Sequence, residues 1–145
     1  MILLTWGFTE PHTAKTAAGL LRYRPHECRA VFDPDLVGQS LQERLEVGGE
    51  VPIIGHLADA PDANWLVIGI APPGGAIPDY WRPVLREALQ RGMSLLSGLH
   101  VFLTDDEELV RLANEHGGRI VDVRKNSFRQ IARYRPFNPD CLRVM

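Results

Sequence analysis

Trp65-Leu66-Val67-Ile68-Gly69-Ile70-Ala71-Pro72-Pro73-Gly74-Gly75 is the stretch whose reading decides the fold. Its first six residues are apolar or glycine without alternation, and prolines and glycines close it. A strand with one wet face alternates in polarity, whereas a short continuous run bounded by turn residues reads as a strand buried on both faces. Five similar runs flank it: Ile2-Leu3-Leu4-Thr5-Trp6, Arg29-Ala30-Val31-Phe32, Val51-Pro52-Ile53-Ile54, Ser94-Leu95-Leu96-Ser97 and Arg119-Ile120-Val121-Asp122-Val123. Six strands are expected.

Segments with a period near 3.6 separate most of these runs. Thr13 is expected to cap a helix carrying Ala17, Leu20 and Leu21. Val37, Leu41 and Leu45 line one face of a second helix that ends at Gly48-Gly49. Trp81, Val84, Leu85, Ala88 and Leu89 form one apolar stripe, with Pro83 in the first turn. Thr104-Asp105-Asp106-Glu107 reads as a capping box, and Gly117-Gly118 stops that helix. The link between the third and fourth strands is too short for a clear helix. Alternating strands and helices imply right-handed crossovers and a parallel sheet covered on both sides. The expected fold is a doubly wound, Rossmann-like α/β domain over residues 1–126. A flavodoxin-like strand order satisfies the same pattern.

Composition excludes several classes. Apolar residues are 45% and charged residues 23% of 145, ordinary for a globular chain. Lys plus Arg number 16 against 18 Asp plus Glu, net −2, which gives no electrostatic case for nucleic acid or anionic lipid. No run approaches the ~20 apolar residues of a membrane span, and no secretory leader pattern opens the sequence. Cys28 and Cys141 form no ligand pair, and His26, His56 and His116 stand at no metal-ligand spacing, so a reducing cytoplasm and no metal are expected.

In an open parallel sheet, ligands lie beyond the carboxyl ends of the strands. Lys15 and Thr16 open a helix after the first strand, where backbone N–H groups, the helix dipole, an ammonium and a hydroxyl suit a phosphate or carboxylate. The glycines of a P-loop or a dinucleotide fingerprint are absent there. Asp33 ends the second strand, where an acid can bond ribose hydroxyls or start a turn. Pro73, Gly74 and Gly75 read as a ligand-contacting loop. Ser97 and Gly98 lead to His100, a candidate proton-transfer residue. Arg124 and Lys125 follow the sixth strand and suit a phosphate or an acidic partner domain.

The runs His12-Thr13-Ala14-Lys15-Thr16-Ala17-Ala18-Gly19-Leu20-Leu21-Arg22-Tyr23, Ile68-Gly69-Ile70-Ala71-Pro72-Pro73-Gly74-Gly75, Ser97-Gly98-Leu99-His100 and Asp122-Val123-Arg124-Lys125 together resemble the N-terminal domain of the DUF1611 family. The resemblance implies a Rossmann-like domain followed in the family by a P-loop-containing C-terminal domain. It also implies a D-glutamate N-acetyltransferase-like activity using acetyl-CoA on a small-molecule substrate. Some members carry NAD-dependent epimerase/dehydratase labels, so an NAD-binding module without its own catalysis is an alternative, as is a homo-oligomer assembly domain. Residues 127–145 read as a connector, and Leu142-Arg143-Val144-Met145 as the start of the strand leading to the absent P-loop domain, which leaves the 145 residues enough to fold and too few to catalyse.

Overall fold

All six expected strands form, each within its expected run. They are β1 (Ile2–Leu4), β2 (Ala30–Phe32), β3 (Ile53–Ile54), β4 (Trp65–Ile68), β5 (Ser94–Ser97) and β6 (Ile120–Asp122). The structure, a computed structural model, describes residues 1–126. The expected connector at 127–145, the strand start at Leu142 and Cys141 lie outside the described residues.

Every strand pair is parallel, and the order is β3-β2-β1-β4-β5-β6. This is the Rossmann order and settles the choice against a flavodoxin-like arrangement. Leu3 in the centre sits opposite Val31 on one side and Val67 on the other. All of β1, β2 and β3 is buried, which is why their runs show no alternation. After β3 the chain returns from one edge of the sheet to its middle through residues 55–64, with a single 3-10 turn at Leu57–Asp59 in place of a helix. The order in which strands are added therefore reverses between β1 and β4, the point at which ligands bind in open parallel sheets.

Four helices flank the sheet among the described residues: α1 (Lys15–Tyr23), α2 (Leu41–Leu45), α3 (Arg82–Gln90) and α4 (Glu107–His116). None of the described helices is long and apolar enough to cross a membrane. The stripe expected on α3 is realised: Val84, Leu85, Ala88 and Leu89 are buried, Trp81 is buried just before the helix, and Pro83 sits in the first turn. Complete burial of each large side chain contributes roughly 1.5–3 kcal/mol.

Three local expectations are corrected. The Thr13 hydroxyl donates to the Phe8 carbonyl at 2.7 Å and does not cap α1, which begins after Ala14 with no side-chain cap. Val37 lies outside α2 and is exposed; Ser40 caps that helix by accepting from the Glu43 N–H. In the third case Asp106, not Thr104, caps α4, its Oδ1 accepting from the N–H groups of Glu108 and Leu109 at 3.1 and 3.3 Å. Thr104 is engaged by Asp122 instead, whose Oδ2 accepts from both its N–H and its hydroxyl.

Candidate functional site

The carboxyl end of β2 delivers Asp33 into the interior, 1% exposed. Its Oδ2 accepts from the Thr9 hydroxyl at 2.5 Å and the Gly7 N–H at 3.2 Å, and its Oδ1 from the Asp35 N–H at 3.3 Å. Thr9 also shares a hydrogen bond with Thr5 at 2.7 Å. Both oxygens thus bind the loop after β1 and the turn after β2. A ribose at this position has to compete with Thr9 and Gly7 for the same acceptor. Around this tether lies an aromatic group: Trp6 packs edge-to-face on Phe32 and on Tyr80, with centroids 6.0 and 4.9 Å apart. The Trp6 carbonyl accepts from the Tyr80 hydroxyl and the Trp81 indole, joining the loop after β1 to the segment that precedes α3.

Lys15 and Thr16 are exposed at the start of α1. The next N–H, that of Ala17, donates to the Gly69 carbonyl at 2.8 Å, and the Ala71 N–H to the Thr13 carbonyl at 3.0 Å. Gly69 makes this approach feasible. A Cβ there would lie 2.9 Å from both the Ala17 Cβ and the Thr5 Cγ2. The helix start is therefore drawn onto β4, with part of its donor set turned toward the protein rather than toward a ligand.

Beyond β4, Pro73–Gly75 forms a 3-10 turn in which Gly74 and Gly75 have φ of +79° and +69°. That left-handed backbone favours glycine. Gly75 is buried against His100: a Cβ at Gly75 would meet the His100 Cβ at 3.3 Å and its Cδ2 at 3.5 Å. Two sequence-predicted positions, 25 apart in number, thus touch across the ends of β4 and β5, and the imidazole remains exposed to solvent. Ser97 is buried, its hydroxyl accepting from the Leu99 N–H at 3.2 Å. Gly98 offers its carbonyl to Arg124 Nε at 2.6 Å, which draws the loop after β6 toward that after β5. Lys125 bonds the Thr104 hydroxyl and the Asp105 carboxylate at 2.9 and 2.6 Å, with its ammonium 5.3 Å from the Phe102 ring centre.

The sequence-predicted residues thus fall into two groups along the carboxyl edge. Gly74, Gly75, Gly98, His100, Arg124 and Lys125 line the β4-β5-β6 half, whereas Lys15, Thr16 and Asp33 belong to the β1-β2 half. Sequence reasoning missed Trp6, Thr9 and Tyr80, and for Asp122, legible at the end of β6, it missed the bonds to Leu103 and Thr104. Trp6 and Thr9 lie between β1 and α1, in the segment that leads to Lys15, and their partners Tyr80 and Asp33 come near only in the folded sheet. Among the described residues no three His, Cys, Asp or Glu side chains come together as a metal-binding group. Cys28 is buried away from this edge, and burial pushes its thiol above the ordinary value of 9.0. In chemical terms, the β4-β5-β6 edge offers an imidazole, backbone without side chains and two cations.

Residues 34–126 match the family described as a domain of unknown function, DUF1611_N, Rossmann-like domain. A D-glutamate N-acetyltransferase of Tritonibacter scottomollicae is 35% identical over 111 residues, 77% of this chain and 31% of that protein. Another, from a Pseudoalteromonas species, is 40% identical over 65 residues, 45% of this chain and 20% of that protein. The chain thus spans less than a third of the length of these curated relatives. A crystal structure of a DUF1611 family protein from Anabaena variabilis superposes with a TM-score of 0.79 at 39% identity, covering 91% of this chain and 39% of the other. The Rossmann order, the loops after β4 and β5 and these similarities agree: the chain belongs to the DUF1611_N Rossmann-like domain family.

Proposed function

We propose that this domain supplies part of the substrate site of an N-acetyltransferase acting on an acidic D-amino acid such as D-glutamate, with acetyl-CoA as acyl donor. The observation that carries the reading is the contact between His100 and the side-chain-free backbone at Gly75, at the ends of β4 and β5. Acetyl transfer requires a neutral amine. A neutral imidazole can take the proton that the ammonium must lose. The amine nitrogen then bonds to the thioester carbonyl carbon as the C–S bond breaks, and the second proton lost by the nitrogen passes to the departing sulfur, which leaves as a thiol. In this reading His100 accepts the proton, the Gly74 backbone leaves room for the substrate to approach, and Arg124 holds a substrate carboxylate. The similarity to two D-glutamate N-acetyltransferases supports the choice of substrate class.

The test uses the protein at its native length. Isothermal titration is expected to show saturable binding of D-glutamate and of acetyl-CoA. His100→Gln is expected to lower kcat by about 10²-fold or more, with little change in D-glutamate affinity. Binding of neither compound removes the proposal.

An NAD-binding reading draws on one observation, the dinucleotide-type strand order. Against it stands Asp33, whose oxygens are engaged within the protein. A melting-temperature shift with millimolar NAD would favour it.

A further inference from the structure

Two acids are buried among the described residues, Asp33 and Asp122. Asp33 ties down the loop after β1, and Asp122 does the same for a different loop. It stands at the end of β6, opposite Ser97 at the end of β5. Its Oδ1 accepts from the Leu103 N–H at 3.1 Å, and its Oδ2 from the Thr104 N–H at 2.9 Å and the Thr104 hydroxyl at 2.8 Å. All three donors belong to the β5-α4 connection, which carries His100. Bonds to a carboxylate are about twice as strong as those between neutral groups, so this is a firm anchor. The near end of the connection is held from the same strand exit, where Arg124 Nε donates to the Gly98 carbonyl at 2.6 Å. His100 itself makes no hydrogen bond to any described residue. Leu99 and Leu103 on either side of it are buried, while the imidazole is exposed. The place of the ring is therefore set by the anchors before and after it and by the Gly75 backbone it touches.

We infer that Asp122 is a positioning residue for His100: by holding the far end of the β5-α4 connection, it keeps the imidazole against Gly75 at the carboxyl edge of the sheet. The inference deepens the acetyltransferase reading and rests on it for its kinetic consequence. Proton transfer requires hydrogen-bond reach, and a misplacement of about 1 Å can cost about 10²-fold in rate.

The experiment uses the protein at its native length. Asp122→Asn is expected to lower kcat by about 10- to 10²-fold while D-glutamate affinity, measured by titration, holds. Combined with His100→Gln, it is expected to cost no more than His100→Gln alone, because a residue that acts through the imidazole then has nothing left to position. Losses that multiply, or an affinity that falls as far as kcat, overturn the inference. Amide exchange supplies a readout free of catalysis. Asp122→Asn is expected to speed exchange at Leu99, whose N–H is bonded to Ser97 on the other side of His100, and to leave β1 and β4 unchanged. If the unmodified protein transfers no acetyl group, the acetyltransferase reading falls and the Leu99 exchange alone decides the positioning; an unaltered rate there overturns it. Thr104→Val, which removes the hydroxyl bonded to Asp122, carries the same cycle and the same exchange measurement if Asp122→Asn does not fold.

Discussion

Asp33 shows how one side chain can occupy a familiar position and serve a different end. Sequence placed it correctly at the end of β2, where an acid meets ribose in many dinucleotide-binding domains. Its partners were illegible, because Thr9 and Gly7 reach it only once β1 and β2 are neighbours. Removing the carboxylate leaves a buried hydroxyl and backbone donors without an acceptor, so Asp33→Ala is expected to destabilise the fold by about 3 kcal/mol. Urea denaturation measures this, and Asp33→Asn, which keeps one acceptor oxygen, is expected to lose less. An unchanged midpoint in the alanine variant would mean that the tether contributes nothing. His100 presents the opposite case. Its place after β5 was legible, and its contact with Gly75 was not, since that needs β4 beside β5 and a left-handed turn between the loops.

At the level of elements, the strands were the easiest to find, because burial on both faces leaves an uninterrupted apolar run. Helix starts were harder. Thr104 satisfied the capping pattern, yet its hydroxyl and N–H bond Asp122, so the helix begins at the next acid able to cap it, Asp106. No local pattern reveals that competition from β6. The packing of α1 on β4 gives the test at this scale. Gly69→Ala puts a methyl 2.9 Å from two side chains and 3.2 Å from the Leu4 carbonyl, and overpacking of this kind costs about 1–3 kcal/mol. Gly19→Ala, on the same helix with nothing within 4 Å of the added methyl, is expected to stabilise by about 0.5–1 kcal/mol. Thermal melts of the two variants should move in opposite directions; a shared direction would contradict the packing described for α1.

For the whole molecule, the class of fold was legible and the strand order was not, since buried parallel strands of similar composition carry no mark of their neighbours. The order is fixed by where each crossover lands, and residues 55–64 make the decisive return to the centre with only one 3-10 turn. That return places β1 beside β4 and brings Tyr80 and Trp81 to the Trp6 carbonyl, 74 and 75 residues away in sequence. One oxygen thereby couples the two halves of the sheet at the point where they diverge. The loop after β1 and the segment before α3 are then expected to open together rather than separately. In native-state hydrogen exchange the amides of residues 6–9 and 79–82 are expected to share one opening free energy, and Trp81→Phe, which deletes the indole donor, to let the two segments exchange separately.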